Sequence, residues 1–386
     1  MRRSRTATAA AALAAACLAG PGALAESRGG AGPRTGPAAD GKALLDVQPA
    51  GEAPSFAPDI DPQMLAVLEE FQAFEPPKYP ELTPFQVRMA VLPVNAVRSL
   101  AAKTGTPAAA PELDVRHEVL PVGPEEGLLA RVYTPLDTGA GGPLPVIVYF
   151  HGGGWVIADL DAYAGGAEGL AAQAGAVVVS VAYRLAPEHT YPTAHEDAYA
   201  AFEHVAENAA DFGGDPEKVV VAGESAGGNL AVSVALMAKE RGGVMPKHIV
   251  SVYPVADGDV TSASYDAYAA AAPLNRPFME WFFDHYTPAW KDSDASDLPY
   301  LFLKEQDLGG LPPTTILNAE IDPLATDGEE LAAAMEQAGV RVMRKVYPGV
   351  THEFFGMTPV LEQAAAAQKL AAEQIRATLE RGDGRS

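Results

Sequence analysis

From residue 145 onward the chain repeats one pattern. A short, nearly unbroken apolar run rich in valine and isoleucine comes first, then a break, then a stretch whose apolar residues recur three and four apart. The apolar runs are Pro145–Phe150, Ala176–Tyr183, Val219–Ala222, His248–Tyr253, Thr314–Glu320 and Val340–Tyr347. The first three, apolar on both faces, predict strands buried inside a parallel sheet, and the last three, more mixed, predict further strands. The helical stretches between and after them are about Asp161–Gly175, Thr193–Asn208, Ala226–Glu240 and Val360–Arg381. Upstream, Val115–Val122 and Leu128–Tyr133 flank a Gly-Pro turn at Pro124, which predicts an antiparallel edge. Together these elements predict an α/β chain, with a mostly parallel central sheet of about eight strands flanked by helices.

Two segments fall outside the alternation. Met64, Leu65, Val67, Leu68 and Phe71 share one side of a helix that starts after Asp61 and ends before Pro76-Pro77. Thr83-Pro84 reads as an N-cap and first helical position for a second helix through Leu100, interrupted at Pro93. These helices precede the first strand, so they cannot be crossovers of the sheet and are expected to lie over it. The second segment, about 257–299, has no strand pattern and holds Trp281, Phe282, Phe283 and Tyr286. Its aromatic cluster is expected to pack in a core or cap, and only secondarily to wall a pocket.

The N-terminus changes the picture of where the protein works. Arg2, Arg3 and Arg5 precede an Ala/Leu-rich run, Gly20-Pro21 breaks it, and Ala23-Leu24-Ala25 follows. That order describes a secretory signal peptide cut after Ala25. The expected location is therefore periplasm or medium. A lipoprotein box ending at Cys17 fits less well, because its leucine stands one place too early. Glu26 to about Pro58, rich in Gly, Pro, Ala and Ser, is expected to be a disordered linker. The expected organisation is thus 1–25 signal, 26–58 linker, 59–108 cap helices and 109–386 main domain.

Composition sets exclusions. The 386 residues carry a formal charge of −23, and removing three arginines with the signal takes it to −26. Such a surface repels phosphate backbones, so nucleic acid is not an expected partner. Cys17 is the single cysteine, which excludes an intrachain disulfide and any multi-cysteine metal site. Beyond the N-terminal stretch no apolar run is long enough to span a membrane. A homodimer is left open.

The candidate chemistry lies in the breaks after strands. Val219-Val220-Val221-Ala222-Gly223-Glu224-Ser225-Ala226-Gly227-Gly228 passes directly from strand to helix with Ser225 at the corner. Taken alone it also describes a glycine-rich loop with an N-cap serine. In this strand–turn–helix setting it is a nucleophile elbow. Gly223 and Gly227 would be needed because a Cβ would clash where strand and helix cross, and the Ala226 N–H would lie at a helix N-terminus. His151-Gly152-Gly153-Gly154 follows a central strand, and its glycines leave backbone N–H groups unshielded, as an oxyanion site requires. No Gly-Lys-Ser/Thr follows, so a phosphate loop does not fit. Asp322 stands before Pro323 at a strand's C-terminal end, and Asp327 falls on the next helix. His352 alone among the eight histidines follows the final strand, between Gly349 and Gly356. His189 and His195 are read as structural or solvent-facing rather than as a metal pair.

These motifs, with the Tyr183–His189 stretch, Asp322-Pro323-Leu324 and His352-Glu353-Phe354, resemble in order and spacing the bacterial hormone-sensitive-lipase family of α/β-hydrolase esterases. The one departure within the motifs is Glu224, where the family often has Asp; the signal peptide is the other difference, since many relatives are cytoplasmic. The resemblance implies an α/β-hydrolase with a helical cap, built from about 61–100 and 257–299. It implies a carboxylic ester hydrolase for short- to medium-chain esters, with Ser225 as nucleophile, His352 as base and Asp322 orienting it. Gly153, Gly154 and Ala226 would form the oxyanion hole, and no cofactor or metal is implied. As base, His352 would titrate near the ordinary imidazole value of about 6.5. An amidase or peptidase on the same triad is the alternative within enzymes. A non-catalytic binding protein of this fold, such as the plant hormone receptors, would lack the histidine.

Overall fold

The computed structural model describes residues 45–104, 111–136 and 141–383. The expected signal peptide lies outside the described residues, as does the linker up to residue 44.

Eight strands form one sheet in the order β1-β2-β4-β3-β5-β6-β7-β8. β1 (Leu113–Leu120) and β2 (Leu128–Pro135) pair antiparallel, and β2 joins β4 (Val177–Val181) antiparallel. From there β3 (Leu144–Phe150), β5 (Gly214–Glu224), β6 (Ile249–Val252), β7 (Thr314–Ile321) and β8 (Val342–Thr351) continue in parallel. Every residue of β4 is buried, as a strand covered on both faces requires. β3 lies between β4 and β5, so the connections on its two sides leave the sheet in opposite directions. Such a reversal opens a crevice at the carboxyl ends of the strands. The glycine loop after β3 and the serine turn after β5 stand at its two sides.

Helix α6 (Ala226–Arg241) is buried from Ala226 to Ala238 and ends at Gly242 in the left-handed conformation. Helices α4 (Ala164–Ala174), α5 (Thr193–Glu207), α9 (Ala325–Gln337) and α10 (Glu362–Asp383) complete the flanking layers.

The cap forms from two distant stretches. Asp61 caps α1 (Pro62–Ala73) by accepting the Gln63 N–H at 2.8 Å. Thr83 and Gln86 form a reciprocal capping box on α2 (Pro84–Arg88), and α3 (Pro93–Lys103) begins at the interrupting proline. In the second stretch, α7 (Ala263–Ala267) is short and α8 (Arg276–Tyr286) holds the aromatic cluster. Trp281 Nε1 donates to Leu82 O at 3.1 Å and so ties the two stretches together. Arg88 ties them to the sheet layer. Its guanidinium donates to Val156 O at 2.8 Å and Ala186 O at 2.6 Å, and pairs with Glu188.

Two expectations need correction. The stretch from 45 to 58 is placed against the domain rather than left as a free linker. Leu45, Val47 and Ala57 are buried, the Leu45 N–H donates to Pro359 O at 3.0 Å, and the Glu69 carboxylate accepts from the N–H groups of Ala50 and Gly51. Isolated apolar residues that each fill one site leave no periodic signal. The last strand also runs past Tyr347 through Pro348 and Gly349 to Thr351. β8 is an edge strand with a register shift near Ile321, so a proline fits where a central strand would lose a ladder bond.

Candidate active site

Ser225 sits between β5 and α6 with φ 57° and ψ −118°, outside the conformations a serine ordinarily adopts. The surroundings hold it there. A Cβ on Gly223 would fall on the Gly227 carbonyl, and one on Gly227 would fall on Phe150 O, so the crossing closes only with glycine at both positions. The Ser225 N–H donates to Val252 O at 2.9 Å, fixing the turn to the end of β6.

The turn aims the side chain at His352. Ser225 Oγ lies 2.9 Å from His352 Nε2, and His352 Nδ1 lies 2.7 Å from Asp322 Oδ2. With the proton on Nδ1, the imidazole donates to Asp322 and accepts from the serine hydroxyl. Asp322 follows β7 directly, is fully buried, and accepts the Leu324 N–H at 2.9 Å through its other oxygen. Asp327 lies on α9, where it accepts the Ala256 N–H and does not meet the histidine.

Burial of His352 disfavours the imidazolium, but the Asp322 carboxylate beside it outweighs that, and Glu353 and Glu224 add to it. The net effect raises the imidazole above its ordinary value, which moves the expectation of about 6.5 upward.

The glycine loop closes the other side. Gly153 has φ 98° and Gly154 φ 57°. Both line a cavity of about 20 Å³ together with Ser225, His352, Phe278 and Phe282, a space that holds about one water molecule. Ala226, the first residue of α6, follows the serine directly, so its N–H lies at a helix N-terminus. His151 at the start of the loop is buried with Nδ1 2.7 Å from Gly152 O, and Tyr183 stacks on it and donates to its carbonyl. Burial lowers this imidazole to about 4, so it stays neutral and structural.

His195 is also internal. Its ring nitrogens meet Tyr286 Oη at 2.7 Å and Asn229 Oδ1 at 2.9 Å, and burial lowers it to about 4. Among the described residues no group of three or more His, Cys, Asp and Glu side chains is placed to hold a metal ion, and no helix is long and apolar enough to cross a membrane.

Three features were not read from the sequence. Phe278 of α8 and Tyr79 line both the inner cavity and an outer groove of about 360 Å³, with ring centroids 5.1 Å apart. Glu353 also lines the cavity and accepts from Tyr163 at 3.2 Å. Glu224 is buried directly behind the serine and bonded to Tyr149 and Tyr253. Glu353 and Glu224 had a signal, since each adjoins a candidate residue in sequence. Phe278 and Tyr79 had none, because what they share is a position in space.

Known proteins resemble this chain over most of its length. A family model described as the alpha/beta hydrolase fold matches residues 147–356. The carboxylesterase NlhH of Mycobacterium tuberculosis is 37% identical over 311 residues, covering 80% of this chain and 93% of that protein. An ethyl acetate hydrolase of Pseudomonas putida is 34% identical, covering 64% of this chain and 78% of that protein. Among solved structures, the hyperthermophilic esterase from Pyrobaculum calidifontis is 36% identical, with a TM-score of 0.68 over 77% of this chain and 94% of that one. The chain belongs to the bacterial hormone-sensitive-lipase family of α/β-hydrolases and is a serine carboxylesterase.

Proposed function

We propose that Ser225, His352 and Asp322 hydrolyse short- to medium-chain carboxylic esters through an acyl-serine intermediate. The observation that carries this reading is the hydrogen-bonded line from Ser225 Oγ through His352 to Asp322, at 2.9 and 2.7 Å. Ser225 attacks the ester carbonyl while His352 Nε2 takes its proton. Asp322 holds the tautomer and stabilises the imidazolium. The N–H groups of Gly153, Gly154 and Ala226 receive the oxyanion, each such donor contributing about 3 kcal/mol in comparable sites. His352 then returns the proton to the leaving alcohol, and water activated by the same base releases the acid.

The tightness of the space beside Ser225 supports short acyl groups, and the groove beyond Tyr79 and Phe278 supports longer ones once those rings move. The name of the Pseudomonas putida relative, ethyl acetate hydrolase, agrees with the short end of that range. We propose further that the enzyme works outside the cytoplasm after residues 1–25 are removed; a mature N-terminus at Glu26 in exported protein tests this. A series of p-nitrophenyl esters from acetate to palmitate, run beside the matching anilides, tests the substrate class. Turnover peaking at short to medium esters supports it. Faster cleavage of the anilides would assign the triad to amides instead.

A further inference from the structure

Directly before the nucleophile the chain buries a carboxylate that no step of the hydrolysis uses. Glu224 is only 1% exposed, and its two oxygens accept from different strands: Oε1 from the Tyr149 hydroxyl of β3, Oε2 from the Tyr253 hydroxyl just after β6. Burying a charge is costly unless hydrogen bonds satisfy it, so this arrangement is a fixed feature of the site. On the side of α4 the space is tight, since a Cβ on Gly166 would fall on Glu224 Oε1; on another side Glu224 lines a cavity of about 30 Å³ with Tyr163 and Glu353.

Tyr253 connects the carboxylate to the catalytic base. Its ring centroid lies 4.4 Å from that of His352, at an interplanar angle of 50°. Its backbone is at φ 34°, a rare value for a side chain of this size, and its N–H donates to Leu317 O at 2.6 Å. Among the described residues the Tyr253 hydroxyl has no hydrogen-bond partner other than Glu224. The imidazole must point one nitrogen at Asp322 and the other at Ser225 at once, and a ring packed beside it at this distance restricts its tilt.

We propose that Glu224 is a positioning residue for the hydrolysis, holding Tyr253 against His352 so that the imidazole stays aligned between Asp322 and Ser225. The inference rests on the triad assignment above. The charged groups around the imidazole come from three elements: Asp322 after β7, Glu353 after β8, and Glu224 at the end of β5. Tyr149, Tyr163 and Tyr253 face the two glutamates and stay protonated, because burial pushes each phenol well above its ordinary value. Burial also raises Glu224 itself, to about 7, against the pull of its two tyrosine bonds.

The test compares Glu224→Gln, Tyr253→Phe and the double variant on one short p-nitrophenyl ester. Glu224→Gln keeps the volume and removes the charge. Tyr253→Phe keeps the ring and removes its anchor. Both single variants are expected to lose kcat by about ten- to a hundredfold with KM nearly unchanged, since a misaligned base slows chemistry without altering the pocket. In Glu224→Gln the acid limb of kcat/KM is expected to move to lower pH, to the extent that Glu224, itself raised to about 7, is ionised there. The double variant is expected to be no slower than the worse single one. Wild-type kcat with an unmoved acid limb in Glu224→Gln would overturn the proposal. So would losses that multiply in the double variant, because the two residues would then act separately. A Ser225→Ala control that is inactive while wild type is active secures the triad assignment independently.

Discussion

Ser225 and His352 are 127 positions apart in the chain, and their side chains meet at 2.9 Å. Two separate devices bring them together: a strained turn between β5 and α6, and the short loop that follows the extended edge strand β8. Removing the hydroxyl therefore removes the nucleophile without touching either device. Ser225→Ala is expected to lose about 10⁴-fold or more in kcat. Its thermal midpoint should move by no more than about 4 °C, the scale of one lost hydrogen bond in a domain of this size. Ester hydrolysis beside circular-dichroism melts checks both. Retained turnover in a folded variant would remove Ser225 from the mechanism.

The pH profile follows from His352. Only the neutral imidazole can accept the serine proton, so activity falls as pH drops through the folded-state pKa. Burial lowers that pKa, but Asp322, Glu353 and Glu224 together raise it. The acid limb of kcat/KM is expected to have its midpoint above the ordinary histidine value of about 6.5. A profile flat from about pH 5 to 8 would exclude His352 as the base.

Much of this site is legible in the sequence because its constraints are local. Gly223 and Gly227 flank Ser225 because the strand–helix crossing leaves no room for a Cβ, and that demand is written within five residues. Asp322 and His352 are marked by what precedes them, the strand-forming runs that became β7 and β8. Pairings across the fold leave no such mark. Nothing near Glu224 announces Tyr149 or Tyr253 as its partners, and nothing near Tyr79 announces Phe278. Leu45 and Val47 were invisible for a related reason. Their burial depends on the surface of the folded domain and not on a pattern of their own.

The glycines divide into two kinds, and substitution separates them. At Gly227 an added methyl meets the carbonyl oxygens of Phe150 and His151, backbone atoms that cannot turn aside. Gly227→Ala is expected to cost about 3 kcal/mol and to lower the thermal midpoint by several degrees. At Gly154 the added methyl meets the ring of Phe282, a side chain rather than backbone, while φ stays at 57°. Gly154→Ala is expected to fold but to lose up to about 10²–10³-fold in kcat, as an oxyanion donor is displaced. Melting curves and kcat measured on both variants test the distinction. A folded, inactive Gly227→Ala beside an unfolded Gly154→Ala would reverse it.

Phe278 and Tyr79 stand between a cavity that holds about one water and a groove of about 360 Å³. A ligand of more than a few atoms needs the larger volume, which lies in the range typical of small-molecule sites. The Phe278 ring also packs on Phe282 with centroids 4.3 Å apart and on Trp281 at 5.6 Å, so it is a wall of the inner cavity and part of the cap core. Truncating it joins the two spaces. Phe278→Ala is expected to shift the preferred acyl chain to longer p-nitrophenyl esters, raising kcat/KM for octanoate or decanoate relative to acetate. It should also lower the thermal midpoint, because a buried phenylalanine removed to alanine costs about 3–5 kcal/mol. The ratio of rates on long and short esters separates the two effects, since a loss of folded enzyme lowers both equally. An unchanged ratio would place the boundary of the acyl site elsewhere than at Phe278.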